Sequence, residues 1–347
     1  MDFLPGAGMF PNLGRVAAAD NVIAPGRVPP GRNRKPIAAP MGGEWKVFPA
    51  PASPAGPTVT SVTGDRVTDR VTLLGAGVMG AGIATLVLGQ GFPVLLIDID
   101  GAALDKARSD VEAQLRMAQL MGARGGDTGE LSTSTVAADA AESTVVIEAI
   151  TERADLKAAA LREMTRIVRP GTPLVSNTSS IPIAELAAVL DRPEDLAGTH
   201  FMNPAYLIGT VEVVKAAGTA RATMDAVTGL LTALGRVPVV VGDAPGFVTS
   251  RILHPMINAA ARVVQAGTAT AEAVDTLMRD CLGHRTGPLR TADLIGLDNL
   301  VDSLAVLHAR TGDEDCLPCE LLLAKVREGS LGRKSGRGFF DYQEAMP

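Results

Sequence analysis

The sequence predicts an α/β protein: an N-terminal doubly wound parallel sheet followed by an all-helical C-terminal domain. Three observations carry that expectation. Short apolar runs alternate with helix-like segments from position 70 onward, as a parallel sheet with crossover helices requires. A glycine-rich turn separates the first run from the first helix, and an acidic residue ends the second run. Beyond Asp243-Ala244-Pro245-Gly246 the periodicity becomes purely helical.

The first strand is expected over 70–74, where Val71-Thr72-Leu73-Leu74 runs into Gly75-Ala76-Gly77-Val78-Met79-Gly80. In this pattern the first glycine permits the tight turn after the strand. The second lets a pyrophosphate approach the backbone, and the third lets the helix pack on the sheet. The phosphates then lie on a helix N-terminus, where free amides and the helix dipole favour negative charge. A second strand over 94–98 ends at Asp98, 18 positions beyond Gly80, where an acidic residue accepts from ribose hydroxyls. Ile99 and Asp100 offer no cation for a 2′-phosphate, so the expected cofactor is NAD rather than NADP, on a Rossmann domain. A bare glycine triplet is also common in structural turns; the flanking strands, the small-residue helix Ala81-Gly82-Ile83-Ala84 and Asp98 give it its context.

Further strands are expected near 144–148, 173–176, 197–200, 210–214 and 237–241, and helices near 247–265, 271–281, 297–308 and 321–326. The Rossmann domain is placed at 69–243 and a helical substrate and dimerisation domain at 244–347. An apolar helical half beside a nucleotide domain is often a subunit interface, so a homodimer is expected. Residues 1–68 differ from the rest: prolines crowd positions 25–57 and no pattern persists. They read as a disordered leader or an over-long gene start; their arginines also allow a weak organelle address.

Composition limits the function classes. Hydrophobic residues make up 46% of the 347, with only 3% aromatic, so the core must be built from aliphatic side chains. A formal charge of −6 provides no basic field for nucleic acid or an anionic membrane surface. No apolar run is long enough to span a bilayer. Cys281, Cys316 and Cys319 are too few for a disulfide framework and fit a reducing, cytoplasmic compartment. Cys316-Leu317-Pro318-Cys319 lacks the second pair that a four-ligand zinc site needs, and no metal is expected.

Of four histidines, His200 stands at the end of a strand-like run, where open parallel sheets bind their ligands. An imidazole there can take the proton of an alcohol while hydride leaves for a nicotinamide. Glu212 can hold the second ring nitrogen, and Asn177-Thr178-Ser179-Ser180 supplies hydroxyls and an amide to orient a substrate oxygen. Each also has a plain structural reading: a packed histidine, a solvated glutamate, a strand-ending turn.

Over residues 69–343 the chain resembles the L-3-hydroxyacyl-CoA dehydrogenase family. The resemblance rests on the glycine motif with Ala81 to Ala84, on Val146-Ile147-Glu148-Ala149-Ile150-Thr151-Glu152 and on Ser176-Asn177-Thr178-Ser179-Ser180. It extends through His200-Phe201-Met202-Asn203-Pro204, Asp293-Leu294-Ile295-Gly296-Leu297-Asp298 and Gly332-Arg333-Lys334-Ser335-Gly336-Arg337-Gly338-Phe339. It implies that His200 is the general base, Glu212 its partner, and Ser179 a bond to the substrate oxygen beside the nicotinamide. It also implies NAD contacts at Glu152, Lys157 and Lys334, and a tail at 332–342 that forms a lid over the cofactor.

Three departures from the family pattern stand out. Ser250 occupies the place of an asparagine that helps polarise the reacting carbonyl; a serine there can donate directly or through water. Tyr206-Leu207-Ile208-Gly209 and Thr286 replace a proline-containing, lysine-bearing stretch and a methionine, which alters the pocket. Residues 101–135 lack the family's lysine-rich segment for the adenosine phosphates of coenzyme A, and so lose charge-assisted bonds of roughly 1.5–3 kcal/mol each. Phosphopantetheine on an acyl carrier protein needs no such patch. The chain is accordingly also similar to carrier-linked dehydrogenases of hydroxymalonyl and methoxymalonyl extender units for polyketides, a likeness visible in Gly283-His284-Arg285-Thr286-Gly287-Pro288-Leu289. The leading expectation is oxidation of a glyceryl-type thioester on a carrier. Its alternatives are a 3-hydroxyacyl-CoA dehydrogenase such as one for 3-hydroxybutyryl-CoA, a free hydroxy-acid dehydrogenase, and a non-catalytic relative.

Overall fold

The computed structural model describes residues 70–122 and 127–342, so the expectation for 1–68 lies outside the described residues. In chain order the sheet half contains β1 (Val71–Leu74), α1 (Val78–Gly89), β2 (Val94–Ile97), α2 (Gly101–Leu120), β3 (Leu131–Ser134) and β4 (Val145–Glu148). It continues with α3 (Ala154–Ile167), β5 (Leu174–Asn177), α4 (Ile183–Ala187), β6 (Leu196–His200), β7 (Thr210–Lys215), α5 (Arg221–Ala233) and β8 (Val237–Gly242). The strands form one sheet in the order β3-β2-β1-β4-β5-β6-β7-β8. The order reverses between β1 and β4, and the crevice beyond their carboxyl ends is where such sheets take ligands.

The strands of the sheet centre are mostly apolar because helices cover both faces, and their polar residues Thr72, Glu148, Ser176 and Asn177 are buried with hydrogen-bond partners. Side chains alternate between two cores: Val94 and Leu96 of β2 pack on one face with α1 and α2, while Leu95 and Ile97 pack on the other with Leu161 and Met164 of α3. α1 is buried from Gly80 to Leu88, as its uninterrupted small and aliphatic sequence requires.

Two features differ from the sequence expectation. β3, Leu131-Ser132-Thr133-Ser134, has one apolar residue and gives no hydrophobic signal, yet it pairs in parallel with β2 at the sheet edge. β7 runs antiparallel to β6, because no crossover helix separates His200 from Thr210. That reversal sets His200 directly opposite Glu212 in the register.

The helical half comprises α6 (Thr249–Gln265), α7 (Ala271–Leu282), α8 (Pro288–Ile295), α9 (Leu297–Thr311) and α10 (Glu320–Arg327). α8 was not anticipated; Pro288 opens it at the first helical position and the Asp275 carboxylate accepts the Leu289 and Arg290 amides. Leucines 297, 300, 304 and 307 place one face of α9 in a common core with Ile257 of α6 and Leu322 of α10. Among the described residues no helix is long and apolar enough to cross a membrane.

Candidate active site

The glycine loop is shaped by what its side chains would strike. Gly75 has φ of +102°, and a Cβ there would lie 2.7 Å from the Ala149 carbonyl oxygen. A Cβ on Gly80 would collide with the Gly75 carbonyl oxygen, so α1 approaches β1 only without one. Gly77 is different: nothing lies within 4 Å of its Cβ position, and the residue is exposed. Its backbone opens to the ligand side, and no side chain caps the first turn of α1, leaving the amides at Val78, Met79 and Gly80 to meet an anion. Asp98 closes the loop: Oδ2 accepts the Ala76 amide at 2.7 Å and Oδ1 the Asp100 amide at 3.0 Å. The carboxylate is half-buried at the end of β2, and its remaining lone pairs can accept ribose hydroxyls. The open backbone at Gly77, the uncapped first turn of α1 and the free lone pairs of Asp98 suit the pyrophosphate and ribose of NAD.

On the far side of β4 an ionic cluster fixes the adjoining turns. Lys157 on α3 is fully buried, and its ammonium donates to Glu148 Oε1 at 2.7 Å, to the Asn177 carbonyl at 2.9 Å and to the Ile150 carbonyl at 3.3 Å. Glu152 Oε2 lies 3.4 Å away. Burial pushes the Glu148 carboxyl up, against the Lys157 charge and the hydrogen bonds from Lys157, Ser176 and the Ile150 amide. Lys157 therefore has no donor directed at a cofactor; it ties the end of β4 to the end of β5. Glu152 is exposed, and its Oε1 accepts the Thr178 hydroxyl at 2.6 Å and the Ser179 amide at 2.8 Å. It thereby positions Ser179, whose half-buried hydroxyl has no hydrogen-bond partner among the described residues.

The His200–Glu212 pair is the centre of the site. Both side chains are buried, and His200 Nδ1 lies 2.8 Å from Glu212 Oε2. Glu212 Oε1 accepts the Val248 and Thr249 amides at 3.1 and 3.0 Å, and Oε2 accepts the Thr249 hydroxyl at 2.5 Å. Burial alone would raise this carboxyl, but the bonds from His200 and Thr249 outweigh it and hold the carboxyl down at about 2. An ionised Glu212 requires a proton on His200 Nδ1. Nε2, which has no bond to the described residues, is left to accept one. Phe247 packs its ring 6.1 Å from the imidazole. Thr249 was missed from sequence: its role depends on where α6 begins, which no local pattern reveals.

Ser250 follows Thr249 in the first turn of α6 and is buried, with no hydrogen bond to its hydroxyl among the described residues. His254, one turn further along, was also not anticipated. The tail from Gly332 is not free: the Phe339 and Phe340 amides and the Tyr342 hydroxyl all donate to Asp293 on α8. Lys334 donates to Asp298 Oδ2 at 2.6 Å at the start of α9, on the helical half and apart from the glycine loop in sequence and element. Cys316 and Cys319 are buried in the helical core, and among the described residues no group of three or more His, Cys, Asp or Glu side chains could hold a metal ion.

Comparison with known proteins agrees with this geometry. Residues 70–244 match the NAD binding domain of 3-hydroxyacyl-CoA dehydrogenase and residues 246–342 its C-terminal domain. The chain belongs to the 3-hydroxyacyl-CoA dehydrogenase family. It is 40% identical over 280 residues to a probable 3-hydroxybutyryl-CoA dehydrogenase of Bacillus subtilis (strain 168), covering 79% of this chain and 98% of that protein. A 3-hydroxybutyryl-CoA dehydrogenase of Bradyrhizobium diazoefficiens is 37% identical over 286 residues, covering 81% and 98% respectively. The crystal structure of (S)-3-hydroxybutyryl-CoA dehydrogenase from Ralstonia eutropha superposes with a TM-score of 0.72 at 37% identity, covering 80% of this chain and 99% of that one. As a member of this family the protein is an NAD-dependent oxidoreductase acting on a CH–OH group.

Proposed function

We propose that this family member oxidises a short 3-hydroxyacyl-CoA thioester, of the 3-hydroxybutyryl type, to the 3-oxoacyl thioester. The observation that carries this reading is His200, with Nδ1 anchored on Glu212 and Nε2 unengaged at the carboxyl edge of the sheet. Nε2 takes the proton of the substrate hydroxyl, and the Glu212 carboxylate stabilises the imidazolium that results. Ser179 donates to the same oxygen and fixes it against the base. NAD, when bound, would accept the hydride from the carbinol carbon; the glycine loop and Asp98 would hold it, and Glu152 is assigned to it as well. Lys157 acts one step removed, and Lys334, held on Asp298 at the start of α9, is assigned to NAD from the helical half. Lengthwise similarity to the 3-hydroxybutyryl-CoA dehydrogenases above supports the coenzyme A form of the substrate.

A carrier-bound acyl group, as in extender-unit formation, is the second reading, and α2 favours it. Lys106 pairs with Asp110 and Arg108 donates to the Thr133 hydroxyl, so two of the three basic side chains of the helix are engaged within the protein where a free nucleotide phosphate would need cations. Purified protein with NAD, given 3-hydroxybutyryl-CoA, glyceryl-carrier protein and free glycerate in parallel, separates these readings by NADH formation. Turnover of 3-hydroxybutyryl-CoA bears out the first; turnover confined to the carrier substrate replaces it with the second; activity on free glycerate alone removes both.

Exposed Ile252, Leu277, Leu282 and Leu294 on the helical half support a homodimer formed through that half, which sedimentation at micromolar protein would test. The three free cysteines fit a cytoplasmic setting.

A further inference from the structure

α6 carries Ser250, expected beside the reacting carbonyl, and His254, a second polar side chain that the hydride-transfer chemistry above does not use. Ser250 and His254 are one helical turn apart, so they lie on the same face of α6. Thr249, immediately before Ser250 in the first turn of α6, has its hydroxyl 3.2 Å from His200 Nδ1, so this end of the helix borders the catalytic pair. Ser250 is 3% and His254 6% exposed. His254 Nδ1 is 2.8 Å from the Ser303 hydroxyl on α9, which fixes the ring; no other hydrogen bond joins the ring to the described residues. Nε2 and the Ser250 hydroxyl are thus two polar groups with unfilled bonding capacity, in the layer next to the catalytic pair.

Filling this layer with a purely aliphatic acyl chain would bury both groups without partners, which is unfavourable. An acyl group with a further oxygen would satisfy them. Burial also pushes the His254 imidazole down to about 4, with the His200 charge adding to the effect. The ring is therefore neutral at pH 7, suited to a hydroxyl and not to a carboxylate, which would call for a cation.

We propose that His254, held by Ser303 and flanked by Ser250, is a specificity-determining residue that hydrogen-bonds a second hydroxyl of the acyl group. The preferred substrates are then short dihydroxyacyl thioesters, whether the thiol belongs to coenzyme A or to a carrier. The inference rests on the 3-hydroxyacyl thioester reading above and narrows it.

The test uses the full chain with NAD and three probes: (S)-3-hydroxybutyryl-CoA, 2,3-dihydroxybutyryl-CoA and 3,4-dihydroxybutyryl-CoA. Each of the last two adds one hydroxyl to the first. In the unaltered protein kcat/KM for at least one dihydroxy probe should exceed that for 3-hydroxybutyryl-CoA by about tenfold or more. His254→Leu should lower that ratio about 10- to 100-fold, and Ser303→Ala should lower it in the same direction by less, while the Kd for NAD stays constant. Constant NAD binding separates lost recognition from lost folding. Should His254→Leu not fold, the ratio in Ser303→Ala decides the matter. Equal or better use of 3-hydroxybutyryl-CoA by the unaltered protein overturns the inference and leaves the dehydrogenase reading standing. So does an equal loss on all three probes in His254→Leu. No oxidation of any thioester overturns both.

Discussion

Replacing Glu212 with glutamine tests the reasoning about the catalytic pair most directly. In Glu212→Gln the amide oxygen can still accept the Val248 and Thr249 amides, which sit 3.1 and 3.0 Å from Oε1. The NH2 group then stands where Oε2 now accepts from His200 Nδ1 and from the Thr249 hydroxyl. A hydroxyl can rotate and accept instead, but the imidazole can accept only by moving its proton to Nε2. That nitrogen would then face the substrate already protonated and could not take the hydroxyl proton. We expect kcat to fall about a thousandfold with NAD binding unchanged.

The same side chain has a stability effect with a definite sign. The carboxyl is held at about 2 in the fold against an ordinary value of 4.5. Its contribution, about 3 kcal/mol, is therefore fully present above pH 4.5 and is lost as pH falls through 2. Glutamine has no such term, and its own hydrogen bonds restore part of it, so urea unfolding at pH 7 should show a loss of about 1–3 kcal/mol. The difference from the unaltered protein should shrink below pH 4. A kcat within fivefold of the original would refute the tautomer argument, and an unchanged urea midpoint at pH 7 would refute the charge argument.

Gly77→Ala should fold with an unchanged melting temperature, since its Cβ meets nothing within 4 Å, yet bind NAD at least tenfold more weakly by fluorescence titration. Gly80→Ala, whose Cβ would strike the Gly75 carbonyl, should lose stability instead. Lys157→Met leaves Glu148 buried without its cation and should cost about 3–5 kcal/mol in urea unfolding; a cost below 1 kcal/mol would mean that the pair does not stabilise the turn. His254 is held near 4 against an ordinary 6.5, so the unfolded chain binds the extra proton first. Stability should fall by up to about 3 kcal/mol as pH drops from 6.5 to 4, and His254→Leu should flatten that slope in urea midpoints taken across the range.

The glycine loop was legible in the sequence because each of its residues acts locally: a positive φ at Gly75, an open approach at Gly77, a close approach at Gly80. Asp98 was legible for the same reason, since it ends a strand whose apolar run announces it. His200 and Glu212 could be nominated as a pair by position, but the antiparallel β6–β7 register that sets them opposite each other was not expected, because the runs read as one parallel sheet. β3 was hidden because an edge strand needs no apolar face. Lys157 is the converse case. Motif matching gave it a cofactor contact, whereas its burial among Glu148, Ile150 and Asn177 is a property of packing between α3 and two strand ends that no spacing encodes.

Thr249 gives this last point its functional weight. The Glu212 carboxylate sits at the N-terminus of α6, accepting the Val248 and Thr249 amides where a helix end favours an anion. The sheet supplies the base and its partner, but the first residues of the helical half supply the donors that keep the partner charged. Asp243 braces the same junction from the other side, accepting the Ile183 and Ala184 amides at the start of α4. Arg310 near the end of α9 donates to Glu185 on α4. A helical half displaced from the sheet would strip Glu212 of three of its hydrogen bonds, and burial would then push its carboxyl upward. The proposed base is therefore held in its working tautomer only while the two halves are docked.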